Sequence, residues 1–188
     1  MVRWNVRGLN WPNKQEDVKL FLHTNKVGLI GLLETKVKTR NVDHIASKIF
    51  MGWKWQHNFH LNPKGRIWVA WKPVTYHLEV LKVIEQMVHG KGTQLCSNKK
   101  FYITIIYGMN HEFQRQQLWA DLQALSHQIL EAWCIMGDFN AVLSKDDRMG
   151  GNAMTDHEVQ ELNPLLDVCD LHELRSMGPY YSWTNKTV

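Results

Sequence analysis

Val27-Gly28-Leu29-Ile30-Gly31-Leu32-Leu33 is an uncharged run that closes on Glu34. An unbroken apolar run fits a strand buried on both faces, because a strand with one wet face would alternate polar and apolar residues. A second run, Ala132-Trp133-Cys134-Ile135-Met136, closes on Gly137-Asp138-Phe139-Asn140. Val2 to Val6 also reads as a strand and carries Asn5, while Phe101 to Ile106 leads into Tyr107. Buried strands that end in polar groups are the first clue to architecture and to chemistry.

The segments around these runs change period. Lys14 to His23 reads as a short helix with Val18, Phe21 and Leu22 on one face, and Asn41 to Phe50 as another with Ile45 and Ile49 aligned. Trp53 to Asn58, Ile67 to Trp71 and Thr75 to Val83 look extended, with Gly65, Pro73, Gly90 and Gly92 read as breaks. Leu118, Leu122, Leu125 and Ile129 mark a helix from Glu112 to Leu130. Thr155-Asp156-His157-Glu158 is a capping box for a last helix with Val159, Leu162 and Leu166 inward, which Pro164 is expected to kink. Tyr180 to Thr184 reads as a final strand. Strands flanked by helices at both ends, with a hairpin-rich middle, predict an α/β sandwich of two sheets. The alternation is too irregular for a TIM barrel or a Rossmann fold.

Composition sets the outer limits. At 188 residues one domain, 1–188, is the expectation. A hydrophobic fraction of 44% with 21% charged residues excludes a disordered, collagen-like or coiled-coil chain. The net charge of +4 suits a nucleic-acid partner better than an acidic balance would, and the nine Trp could serve a core or base stacking. Three scattered cysteines make neither a disulfide framework nor a CxxC pair, which points to a reducing compartment. No apolar stretch approaches a membrane span, so no membrane partner is expected.

A carboxylate at the end of an apolar strand costs free energy unless it is paired or binds a metal. Strand ends are also where α/β folds gather their sites. If the ends carrying Asn5, Glu34, Tyr107, Asp138 and Asn140 converge, they offer two carboxylates, two carboxamides and a phenol. Oxygen-rich sets of this kind favour magnesium or manganese over zinc. Taken one at a time the same residues are ordinary: Glu34 could be a solvated strand end paired with Lys36, and Gly137-Asp138-Phe139-Asn140 a plain turn. Asp146-Asp147-Arg148 reads equally as a metal or substrate contact and as a solvated loop.

Six motifs then appear in order: Trp4-Asn5-Val6-Arg7-Gly8-Leu9-Asn10, Leu32-Leu33-Glu34-Thr35-Lys36, Ile106-Tyr107-Gly108, Gly137-Asp138-Phe139-Asn140, Asp147-Arg148-Met149-Gly150-Gly151 and Tyr181-Ser182-Trp183-Thr184-Asn185. Together they resemble the endonuclease/exonuclease/phosphatase superfamily. More narrowly, they are similar to the apurinic-type endonuclease domain of plant LINE-type non-LTR retrotransposons. The resemblance implies a four-layer α/β sandwich, two packed mixed sheets flanked by helices, and metal-dependent cleavage of a phosphodiester bond. It implies that Glu34, with Asn5, holds Mg²⁺ or Mn²⁺, that Asp138 orients or deprotonates water, and that Asn140 and Tyr107 hydrogen-bond the phosphate. Arg148 and Trp183 would face nucleic acid. DNA is the implied partner, a fused reverse transcriptase the implied neighbour, and the nucleus the implied compartment.

The family continues past the Tyr-Ser-Trp-Thr-Asn strand to a Leu-Asp-Arg-like segment and a Ser-Asp-His motif, whose His contacts the scissile phosphate. The sequence reaches Val188 before either. The expectation is therefore a domain incomplete at its C-terminal end, lacking its final strands, with DNA cleavage weak or absent. The other readings carried forward are a non-catalytic nucleic-acid-binding remnant and a same-fold phosphatase or RNA exonuclease.

Overall fold

The structure is a computed structural model that describes residues 1–61, 67–144, 147 and 161–174. Two compact units divide the chain: Met1–Met109 with Ile129–Phe139, and Asn110–Gln128 with Asn140–Val188. The first holds β1 (Val2–Asn5), α1 (Pro12–Thr24), β2 (Leu29–Leu33), α2 (Val42–Ile49), β3 (Lys54–His57), β4 (Ile67–Trp71), β5 (Tyr76–Val83), β6 (Met87–Gln94), β7 (Lys99–Tyr107) and β8 (Trp133–Asp138). The second holds α3 (Glu112–Ser126) and α4 (Asn163–Cys169). Among the described residues no helix is long and apolar enough to cross a membrane.

Two four-stranded mixed sheets form, in the orders β1-β2-β4-β3 and β5-β6-β7-β8. Each carries one parallel pair at an edge: β1 with β2, and β7 with β8. The other pairings are antiparallel. This is the expected α/β sandwich of two packed mixed sheets with flanking helices.

The Val27 to Leu33 run folds as it does because both of its faces are covered. Leu29 and Leu33 join Ile67, Val69 and Trp71 against Leu78, Val88, Ile103 and Ile105 of the other sheet. Ile30 and Leu32, with Trp68 and Ala70, pack instead among Val18 and Leu22 of α1 and Ile45, Ala46 and Ile49 of α2. Each fully buried Leu or Ile side chain contributes about 1.5–3 kcal/mol relative to exposure. Gly31 sits where a Cβ would lie 2.7 Å from the Ile105 side chain, so Ile105 of the other sheet packs into the space that β2 leaves by having no side chain there.

Two sequence expectations are corrected. Gly90 and Gly92 do not break the chain; they lie inside β6, a strand the sequence reading did not contain. A Cβ on Gly92 would come within 2.3 Å of the Phe101 ring, and one on Gly90 within 2.7 Å of the Glu79 carbonyl oxygen. Packing, and not a turn, therefore accounts for both. Pro164 does not kink a helix. It stands in the first turn of α4, where its missing N–H costs nothing, and Leu165 and Cys169 are the helix's buried residues. The capping box at residues 155–158 and the strand at residues 180–184 lie outside the described residues.

The second unit has its own polar centre. Arg115 donates from Nε to Glu161 Oε1 at 2.7 Å, from a second guanidinium nitrogen to Glu161 Oε2, and from Nη1 to the Asn110 carbonyl at 2.8 Å. Trp119 Nε1 adds a further bond to Glu161 Oε1 at 2.9 Å. Both charged side chains are only 7% exposed.

Candidate metal and phosphate site

The carboxyl ends of the parallel strands bring the predicted residues of the first unit together. Asn5 ends β1, Glu34 directly follows β2, Tyr107 ends β7 and Asp138 ends β8. β1 and β8 each form one edge of their sheet, and they adjoin each other. Asn5 Nδ2 donates to Glu34 Oε1 at 2.9 Å and reaches Asp138 Oδ2 at 3.3 Å. One amide thus touches both carboxylates across 29 and 133 residues of chain. Tyr107 pairs in register with Asp138 and is buried in the layer between the sheets.

Local backbone holds this arrangement. Past the ends of β1 and β2 the two loops stay zipped: Val6 N–H donates to Leu33 O at 3.0 Å, Gly8 N–H to Glu34 O at 2.8 Å and Leu9 N–H to Thr35 O at 2.8 Å. Asn10 Nδ2 donates to the Lys36 carbonyl at 2.6 Å, and buried Gln15 donates to the Leu9 carbonyl at 2.8 Å. Arg7, Glu34 and Lys36 all adopt left-handed φ values of 50°, 51° and 49°. Such a conformation at a non-glycine residue costs on the order of 1 kcal/mol and persists only where the surroundings impose it. Here the ladder between the two loops imposes it.

The electrostatics favour an ionised Glu34. Burial raises its pKa, but the hydrogen bonds from Asn5 and Lys36 and the charges of Lys36 and Arg7 outweigh that and hold it below the ordinary glutamate value. A depressed carboxyl pKa adds stability above the ordinary range, which is lost as pH falls through the folded value. Lys36 Nζ lies 2.9 Å from Glu34 Oε2; the glutamate side chain is 16% exposed and the lysine 59%. The pairing with Lys36 read from the sequence is therefore real, and it coexists with the convergence on Asn5 and Asp138.

One atom is left over. Asn5 Oδ1 is buried with no hydrogen-bond partner, an expensive state for an amide oxygen. The nitrogen of the same amide touches two carboxylates, so the oxygen ligands on offer are all hard, the set that suits a small divalent cation. Among the described residues no group of three or more His, Cys, Asp or Glu comes together. A cation here would rest on Glu34 and the orphan Asn5 oxygen, with Asp138 beside it, and those residues fit one.

The remaining predicted residues stand differently. Asn140 falls in the second unit, exposed, with a left-handed φ of 49°. Arg148 and Trp183 lie outside the described residues. Asp147 accepts the Leu143 and Ser144 N–H groups on Oδ2 at 2.8 and 2.9 Å, which makes it a turn cap. Three supporting roles went unread in the sequence: that of Asn10, which closes the first motif, and those of Gln15 and Gln86. Gln86 Oε1 accepts the Met109 N–H at 2.7 Å and its carbonyl accepts the Tyr107 N–H at 2.9 Å, bracing the end of β7. Side chains that brace backbone follow no periodicity, so only their place beside the motifs could have signalled them.

The profile of the Endonuclease/Exonuclease/phosphatase family matches residues 4–188. Among solved structures, the endonuclease domain of TRAS1, a telomere-specific non-LTR retrotransposon, superposes with a TM-score of 0.70 at 13% identity, over 94% of this chain and 75% of that one. D. rerio TDP2 complexed with a single-strand DNA product gives 0.60 at 15% identity, over 87% and 63%. The Bacteroides thetaiotaomicron mannosyl-6-phosphatase gives 0.56 at 10% identity, over 75% and 65%. The chain thus spans less than two thirds of the last two. At these identities the likeness speaks for the fold alone. No curated protein matches the sequence.

Proposed function

The chain belongs to the Endonuclease/Exonuclease/phosphatase family, and on that premise we propose that it is a divalent-metal-dependent phosphodiester hydrolase of the DNA endonuclease type. The observation that carries this reading is the single Asn5 amide shared by Glu34 and Asp138, with its own oxygen buried and unpartnered. Glu34 and Asn5 would hold Mg²⁺ or Mn²⁺. A bound cation of this kind supplies charge neutralisation at phosphate oxygens.

The protein's own groups do the rest. Glu34 is kept ionised by Asn5 and Lys36, so it needs no deprotonation before it binds a cation. Asp138, at the end of β8, accepts the proton of the attacking water. Tyr107, beside Asp138 at the end of β7, would hydrogen-bond the phosphate oxygens as charge accumulates on them, and Asn140 is proposed for the same role from its sequence motif alone. Arg148 and Trp183 are proposed to contact the nucleic acid. The retroelement lineage of the plant LINE type is proposed from the six ordered sequence motifs, and the fold shared with a retrotransposon endonuclease agrees with it. In that lineage DNA is the substrate, a reverse transcriptase the fused neighbour and the nucleus the place of action.

The test is nicking of a supercoiled plasmid by the purified chain. Slow nicking that requires Mg²⁺, stops with EDTA and falls about 100-fold in Glu34→Gln is expected. DNA binding that survives EDTA and ignores Glu34→Gln would instead mark a non-catalytic binding module. The mannosyl-6-phosphatase shares the fold, so a sugar phosphate and an RNA 3′ end belong in the substrate panel. Turnover of either in preference to DNA would replace the endonuclease reading.

A further inference from the structure

Both oxygens of Glu34 are in use. Oε1 accepts the Asn5 amide at 2.9 Å and Oε2 faces the Lys36 ammonium at 2.9 Å. Each oxygen keeps a second lone pair for a cation, but a cation bound at Oε2 would lie close to the Lys36 ammonium, a like charge, so Lys36 is the partner it would push away. Asn5 is the immobile one: it is part-buried, sits in register between β1 and β2, and its amide also reaches Asp138. Lys36 is the opposite, a long side chain that is 59% exposed. The ammonium end of the pair lies in solvent, which screens it and offers it water in place of the carboxylate, so little opposes its departure. Its backbone stays put when the side chain leaves, because Asn10 holds the Lys36 carbonyl at 2.6 Å.

We propose that Lys36 is an exchangeable counter-ion for Glu34, displaced by the divalent cation and released to pair with the phosphate backbone of the nucleic acid. The inference rests on the reading of Glu34 as the cation ligand. Without the cation, Lys36 neutralises Glu34 and keeps its carboxylate aimed at Asn5. With it, a second positive charge close to the ion would be repelled, while a polyanion nearby offers the ammonium a new partner. The two binding events are then linked. DNA draws Lys36 away and tightens the cation site, and by reciprocity the cation tightens DNA binding.

The measurement is Mn²⁺ affinity of the whole chain, by calorimetry or by the loss of the free-ion paramagnetic resonance signal. Lys36→Met should bind Mn²⁺ about three- to tenfold more tightly than wild type, since it removes a competing like charge. Lys36→Gln should do the same, whereas Lys36→Arg should bind no more tightly than wild type. A short DNA duplex should tighten Mn²⁺ binding to wild type and do so less in Lys36→Met. Unchanged or weaker Mn²⁺ binding in both neutral variants, folded by circular dichroism, overturns the role of Lys36. Glu34→Gln separates the two levels. If it abolishes Mn²⁺ binding while the Lys36 variants change nothing, only the exchange idea fails. If it binds Mn²⁺ like wild type, the cation site itself fails.

Discussion

Glu34 and Glu161 are both carboxylates that face a cation, yet they are built to opposite ends. Glu161 takes three donors, two from Arg115 and one from Trp119, and both members of the ion pair are sealed from water at 7% exposure. Glu34 takes a neutral amide on one oxygen and a mobile, exposed ammonium on the other, beside an amide oxygen with no partner. The first arrangement is closed and can only hold the structure of its unit together. The second is left half-finished, with strained backbone on both sides of it. A carboxylate whose partners are fixed is architecture, and one whose partner can leave is available for chemistry.

Breaking the closed pair should give the largest stability effect. Arg115→Met leaves a buried, uncompensated Glu161, which costs about 3–5 kcal/mol. Urea denaturation followed by tryptophan fluorescence measures it, and a loss below about 1 kcal/mol would mean that the pair is not sealed. Gly92→Ala comes next. Its Cβ would collide with the Phe101 ring, and overpacking of that kind costs about 1–3 kcal/mol. No loss at all would show that β6 yields more readily than the close contact implies.

A buried histidine gives a pH-dependent effect of similar size. His89 is 1% exposed, accepts or donates at 2.8 Å to the Thr104 hydroxyl and stacks on Tyr102 at 5.6 Å. Burial, with the charge of Lys82, pushes its pKa down to about 4. The unfolded chain takes up this proton near pH 6.5 and the folded chain does not, so stability falls as pH drops from about 6.5 toward 4. Between pH 7 and pH 5 the loss should be about 2 kcal/mol, and His89→Gln should flatten that slope. An unaltered slope in the variant would assign the pH dependence elsewhere. The smallest effect is on the open pair: Lys36→Met should change stability by less than about 1 kcal/mol, because its ammonium lies in solvent and Glu34 keeps its bond from Asn5. A larger loss would make Lys36 a structural member of the first unit and blur the contrast with Arg115.

The same contrast between fixed and free explains what could be read in advance. β2 and β4 were legible because burial on both faces leaves an unbroken apolar run, and β4 spans Ile67–Trp71 as read. The proximity of Asn5, Glu34 and Asp138 was legible because a polar group at the end of such a strand has to be accounted for. β6 was not, since Gly90 and Gly92 signal a turn locally and are required instead by the Phe101 ring and the Glu79 carbonyl in neighbouring strands. Nor were Gln86 and Asn10, which serve the site by gripping backbone groups far away in the chain. Nothing within a window of sequence records such a contact.

The direct examination of the central claim is an anomalous difference map from crystals of the chain soaked in Mn²⁺. The account predicts one strong peak about 2.1 Å from a Glu34 carboxylate oxygen and from Asn5 Oδ1, with the Lys36 ammonium moved off Glu34. A map with no peak there, or one in which Lys36 still holds Glu34 beneath a fully occupied ion, would contradict it.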